Sequence, residues 1–217
     1  MQKLLKRIFA LIVAVFLLGG TAIGVSGYGM YRKALSEKSM FAMQEEIQGR
    51  DSYISLEELP EDYIDSVVAV EDKRFYHHVG IDLIAIGRAI YNDIRAGALV
   101  EGGSTITQQL AKNQYFTQEK KLSRKAAELF MAVEMEKHFS KDEILELYVN
   151  SIYFGNGYYG VREASLGYYG KEPGTLTQEE CMMLAGIPNA PSVYNPVDNP
   201  KLAQERLAQV KRLVNAL

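Results

Sequence analysis

Much of what this chain could be is excluded by what it has little of. Its 217 residues hold a single cysteine and three histidines. Cys181 alone permits no intrachain disulfide and no cysteine-built metal cage. His77, His78 and His138 lack the spacing of metal ligands, so no protein-built metal site is expected. Twenty-four basic and 27 acidic residues leave a net charge of -3, which offers no global field for nucleic acid. No stretch alternates convincingly as a strand, and there are neither internal repeats nor low-complexity tracts. The GxxxxGK[ST] phosphate loop is missing, so nucleotide hydrolysis finds no support. Ser-x-x-Lys and Lys-Thr-Gly are missing too, which speaks against transpeptidase chemistry within these residues. What remains is a mainly α chain, large enough to bury a core, behind one long apolar run.

That run begins after Lys3, Lys6 and Arg7 and carries no charge until Arg32. It is long enough to cross roughly 30 Å of hydrocarbon as a helix and long for the apolar region of a cleaved signal. Residues 1–31 are therefore predicted to be a cytoplasmic basic tip and a transmembrane signal anchor. The basic flank places the N-terminus in the cytoplasm and the remainder outside it. Tyr28 and Tyr31 are expected to form an aromatic belt at the outer interface. Residues 32–55 read as a polar, partly helical stalk, and 56–217 as the domain. Within it, Ile81 to Leu99 reads as a core helix, with contact to the bilayer as the other reading. Ser140 with Glu143, and Thr177 with Glu180, are capping boxes that open two later helices.

Three segments carry chemistry. In the first, Ile64, Val67 and Val68 share a helical face, and Glu71 continues it. An acid on an apolar face is costly to ionise, which moves it toward the range of a general base. Read alone, it is equally a surface acid or a partner of Lys73 or Arg74. In the second, Gly102 to Thr105 put flexible backbone before a helix N-terminus, where N–H donors collect and anions are favoured. Gln108, Gln109 and Lys112 follow on that helix. In the third, Lys112, Lys120, Lys121, Arg124 and Lys125 form a basic cluster with Glu128 at helical spacing. That cluster reads either as a solvated face with ordinary ion pairs or as a phosphate or pyrophosphate site.

Together these segments resemble the bacterial peptidoglycan glycosyltransferases, glycosyltransferase family fifty-one, over about Leu56 to Leu213. All five family motifs stand in order. Glu71, Asp72, Phe75, His78 and Gly80 match the first, and Gly102 to Gln109 (GGSTITQQ) match the second without a change. Arg124, Lys125 and Glu128 match the third, Lys141 to Asn150 the fourth, and Gly160 to Lys171 the fifth, with Tyr169 where the family usually has phenylalanine.

The resemblance implies a lysozyme-like α lobe with a small, membrane-proximal jaw. It also implies transfer of a growing glycan from its undecaprenyl pyrophosphate to the 4-hydroxyl of the next lipid II, with inversion. Glu71 is then the base and Glu128 the second essential glutamate. Lys112, Arg124 and Lys125 stabilise the leaving pyrophosphate, with Lys120 as a point contact where many members have arginine. Gly103, Ser104, Thr105, Gln108, Gln109 and Asn113 are placed among the substrate-binding residues. Phe75 and His78 join them and are read as holding the cleft's geometry. A divalent cation, Mg or Mn, is expected at most with the substrate pyrophosphate. The expected partners are lipid II, the growing strand, membrane lipid and the cell-wall synthesis machinery, with no nucleic acid. A membrane-anchored muramidase and a catalytically idle assembly scaffold are the rival readings. The abrupt end of the terminal helix favours a monofunctional enzyme over a fragment of a bifunctional one.

Overall fold

Local signals set most helix ends. Thr105, Ser140 and Thr177 each accept a bond from the backbone N–H three residues on, and the last two close full capping boxes. Asp82 accepts from the N–H groups of Ile84 and Ala85. The computed structural model describes residues 2–98, 102–117, 119 and 121–216. Their order is α1 (Gln2–Glu37), α2 (Met40–Gln48), α3 (Glu61–Glu71), α4 (Leu83–Ala96) and α5 (Ile106–Tyr115). There follow α6 (Leu122–His138), α7 (Lys141–Val149), α8 (Val161–Tyr169), α9 (Gln178–Gly186) and α10 (Pro200–Val214). Among the described residues the only β pairing is an isolated bridge between Tyr153 and Tyr159. The class is mainly α, as the sequence implies.

The core gathers Tyr63 and Val67 of α3, Ile106 and Leu110 of α5, Met131 and Met135 of α6, and Ile144, Leu145 and Tyr148 of α7. Around it α5 packs on α6 and α7, and α9 lies against both α3 and α10. Glu71 is thus the final residue of a helix whose preceding turns are anchored in the core.

Three expectations are corrected. First, residues 32–55 are not a stalk. Helix α1 runs on to Glu37, and Met40, Met43 and Ile47 of α2 are buried in the main core. Those three side chains form one stripe, and burying each contributes roughly 1.5–3 kcal/mol, enough to outweigh the polar flanks. The segment is also stapled in place. The Asn150 amide donates to the Ile54 carbonyl at 2.8 Å and accepts from the Ile54 N–H at 3.0 Å, while Glu146 accepts from the Leu56 N–H at 2.7 Å and from the Tyr53 hydroxyl.

Second, Tyr31 is not part of an aromatic belt. A Cβ added to Gly27 would lie 2.5 Å from Ala126 Cβ and 2.8 Å from the Ser123 carbonyl oxygen, so α1 approaches α6 as only glycine permits. Beside that crossing, Tyr28 meets Phe130 edge-on at 5.5 Å, and Tyr31 lies 6.1 Å from the same ring and is buried. Third, α4 is not a core helix. Of its side chains only Ala89 is buried, while Leu83, Ile84, Ile90, Tyr91 and Ile94 face outward.

The N-terminal part of α1 is the one segment among the described residues long and apolar enough to cross a membrane, with a mean hydropathy of 2.6. None of that stretch is buried against the protein.

Candidate active site

A cleft of about 830 Å³ opens beside the end of α3. Its walls come from α3, α4, the Gly102–Thr105 segment, α5, α6, the stretch that joins α9 to α10, and α10 itself. Glu71 is part of its wall. Oε2 accepts from Gln109 Nε2 at 2.7 Å, and Oε1 is shut off from solvent with no hydrogen-bond partner among the described residues. Burial pushes the carboxyl above its ordinary range; the Gln109 bond and the cations Arg206 and Lys112 pull in the other direction without cancelling it. Gln109 is itself oriented, because its Oε1 accepts from the buried Tyr148 hydroxyl at 3.3 Å and so turns the NH₂ group toward Glu71.

The cationic corner lies on α5 and α6. Glu128 is buried there, with Oε1 held by Arg124 and Oε2 3.0 Å from Lys125 Nζ. Lys125 also donates to Ser104 Oγ at 2.7 Å and to Gln108 Oε1 at 3.1 Å. One buried carboxylate therefore holds two cations, of which Lys125 is fastened to the glycine-rich turn. Lys112 lines the same cleft. Its ammonium is pushed below its usual range, first by burial, an effect that Glu128 counters and that Arg124 and Lys125 reinforce.

Of the residues singled out by sequence, Glu71, Gly103, Ser104, Thr105, Gln108, Gln109, Lys112, Lys125 and Glu128 all line this cleft. Arg124 is attached to it through Glu128. Thr105 serves mainly as a fastener, donating to the Gly80 carbonyl at 2.8 Å while it caps α5. Phe75 is fully buried under Lys141, and His78 is half-buried with Nε2 2.9 Å from Asp72 Oδ2. Neither reaches the cleft wall. Asn113 is exposed and off the wall. Lys120 lies outside the described residues. Among the described residues no three His, Cys, Asp or Glu side chains converge as metal ligands.

Sequence reasoning named Asp72 in the first motif without giving it a role, and passed over one whole wall of the site. Asp72 is buried and bonds both His78 and the Ile106 N–H at 3.1 Å, which ties the end of α3 to the start of α5. Its position beside Glu71 was a signal, but nothing local announced its partner at Ile106. A further part of the wall, with Pro188, Asn189, Tyr194, Arg206 and Gln209, comes from a loop and from α10, which no motif marked.

Comparison with known proteins places these features in a lineage. Penicillin-binding protein 1F of Bacillus subtilis is 48% identical over 162 residues, covering 75% of this chain and 23% of that protein. Penicillin-binding protein 1A of Aquifex aeolicus is 47% identical over 163 residues, 75% of this chain and 22% of its own length. Penicillin-binding protein 1A/1B of Bacillus subtilis is 40% identical over 177 residues, 81% of this chain and 19% of its own. The chain thus spans less than a quarter of the length of these relatives. The family profile described as Transglycosylase matches residues 37–215, from the last turn of α1 to the end of α10, and the chain belongs to that family.

Proposed function

We propose that this chain is a peptidoglycan glycosyltransferase that polymerises lipid II. The observation that carries the reading is a buried carboxylate facing a cationic corner across one cleft. A sugar hydroxyl is a poor nucleophile at neutral pH and needs a base in the transition state. Glu71 takes the proton of the acceptor's 4-hydroxyl as its oxygen bonds to the donor's anomeric carbon. The anomeric carbon–oxygen bond to pyrophosphate breaks on the opposite face, which inverts the centre, and the electron pair leaves with undecaprenyl pyrophosphate. In this reading Lys112 and Lys125 of the cleft wall receive that charge, with Arg124 joined to them through Glu128. Glu128 holds Arg124 and Lys125 in register, and Ser104 and Gln108 fix the Lys125 ammonium.

Among the described residues, the cationic corner offers a divalent cation no unengaged carboxylate. The one carboxylate in the cationic corner, Glu128, already has both oxygens engaged by cations. A Mg or Mn ion would arrive as part of the pyrophosphate substrate, and no step here is assigned to it.

The apolar part of α1 supports a membrane-anchored protein. In the proposed topology the basic tip is cytoplasmic, and the cleft faces outward, where both substrates keep their lipid tails in the bilayer. Tethering enzyme and substrates to one surface raises their effective concentration. The outward side chains Leu83, Ile84, Ile90 and Ile94 give α4 an apolar face suited to the same lipid.

In detergent, the purified chain is expected to convert lipid II into uncrosslinked glycan. Glu71→Gln should lower the rate by about 10²–10⁴-fold with an unchanged circular dichroism spectrum. Polymerisation at the wild-type rate in that variant would refute Glu71 as the base. Release of sugars from finished glycan without polymerisation of lipid II would point to a muramidase instead.

A further inference from the structure

Arg206 of α10 is built into the cleft wall and, among the described residues, has no acid within ion-pair distance; Glu71 feels its charge only from farther away. Its Nε donates to the Gly186 carbonyl at 3.2 Å, its Nη1 to Gln209 Oε1 at 3.3 Å, and its guanidinium lies 5.2 Å from the centre of the Tyr194 ring. The aliphatic stem runs over Gly186 so closely that a Cβ there would lie 3.1 Å from Arg206 Cγ. A carbonyl, an amide and an aromatic face therefore fix the group in one pose.

Two other cations of the cleft are paired, Arg74 with Asp82 and Lys125 with Glu128. Lys112, like Arg206, has no acid within ion-pair distance among the described residues, but Arg206 alone is clamped by a carbonyl, an amide and an aromatic ring. Holding a half-buried cation rigid without a counter-ion is costly unless a ligand supplies one. The planar guanidinium keeps N–H groups to spare, and its fork suits a phosphate or carboxylate.

Position indicates which ligand. Lys112 on α5 and Arg206 on α10 both line the cleft and act on Glu71 through their charge, from different helices. The reaction proposed above joins two molecules across Glu71. The donor's pyrophosphate belongs to the corner with Lys112 and Lys125. That leaves the Arg206 wall for the molecule whose hydroxyl attacks. We propose that Arg206, with Asn189 and Gln209 beside it, forms an anion subsite that holds an oxyanion of the acceptor. The inference rests on the transferase reading. Two groups of the acceptor share that chemistry, its pyrophosphate and the carboxylates of its peptide.

The test uses the full chain in detergent, lipid II as donor, and labelled acceptors that cannot act as donors. With a disaccharide-pentapeptide acceptor carrying a lipid pyrophosphate whose anomeric bond is made inert, Arg206→Gln is expected to raise the acceptor KM about ten- to a hundredfold. That is the loss expected for one charge-assisted hydrogen bond. The kcat should change far less, and Arg206→Lys should lie between. A merely structural role would move kcat and thermal stability together and leave no ordering between the two variants.

Two further acceptors separate the sources. One has amidated peptide carboxylates, the other a neutral alkyl glycoside in place of the pyrophosphate. A defect that disappears with the amidated acceptor assigns the anion to a carboxylate; one that disappears with the glycoside assigns it to the pyrophosphate. An unchanged acceptor KM in Arg206→Gln, or a defect of equal size with both analogues, overturns the proposal. A wild-type chain that polymerises no lipid II would fail the parent reading instead, so the two failures are distinct.

Discussion

At Glu71 the same burial that suits a carboxyl to accept a proton also makes it expensive to ionise. Its folded-state pKa is raised, mainly by desolvation, above the unfolded value of about 4.3. The folded state therefore binds the proton more tightly, and stability falls as pH rises from the unfolded value through the raised one. Above both, every tenfold gain in the folded state's proton affinity lowers stability by about 1.4 kcal/mol. Glu71→Gln removes that cost, so the variant should melt higher than wild type at neutral pH, with the gap closing near pH 4. Melting curves of the two proteins across pH check this. The polymerisation rate of the wild type should have its acid limb above the ordinary glutamate range, as the base loses its free form. Tyr148 bears on the same group at one remove. Tyr148→Phe frees the Gln109 amide to turn, weakens its bond to the carboxylate, and should move the acid limb to higher pH. In a Gln109→Ala background the same change should have almost no further effect, because its route to Glu71 is gone. Rate–pH profiles of the two single variants and the double variant measure that coupling.

At the scale of the element, the crossing of α1 and α6 carries more than packing. Gly27 meets α6 at Ser123 and Ala126, and the two cations held by Glu128 lie between those residues. Gly27→Leu would force the helices apart at an overpacking cost of about 1–3 kcal/mol and displace Arg124 and Lys125 with them. The expected result is a lower melting temperature together with reduced polymerisation, measured on one preparation. Helix signals were for the most part legible in the sequence. The apolar face that leads to Glu71, the two capping boxes and the glycine-rich entry to α5 could all be read from local patterns. Helix α2 could have been: Met40, Met43 and Ile47 have helical spacing, but charged neighbours made the segment look like a stalk. The staple from Asn150 and Glu146 could not, since it joins positions about a hundred residues apart in sequence. Arg206 escaped for the same reason, because nothing on α10 indicates that its guanidinium meets a cleft opened by α3.

For the whole molecule, α1 divides in two along its length. Its first part buries nothing, whereas its second part, around Gly27, Met30, Tyr31, Ala34 and Leu35, belongs to the domain. Deleting residues 2–21 should therefore release the protein from membranes while leaving its melting temperature within a few degrees of the full chain. Deleting residues 2–38 should lower it markedly, since Tyr31 and its neighbours leave the core. Flotation with lipid vesicles and thermal melts of both truncations test the division. The family profile begins at residue 37, so the part of α1 that packs on α6 lies outside what the profile matches.

Because α1 continues without a break from its apolar part to Gly27, it acts as a ruler. From Arg7 to Gly27 it rises roughly 30 Å at about 1.5 Å per residue, close to the thickness of a bilayer's hydrocarbon. In the proposed topology, the point where α1 touches α6 then falls at the level of the outer headgroups, and Arg124 and Lys125 stand beside it. A pyrophosphate on a lipid tail emerges at that same height. On the proposed function and topology, the cations would then meet a lipid-borne pyrophosphate at the height where the bilayer presents it, without the substrate being lifted out of the membrane.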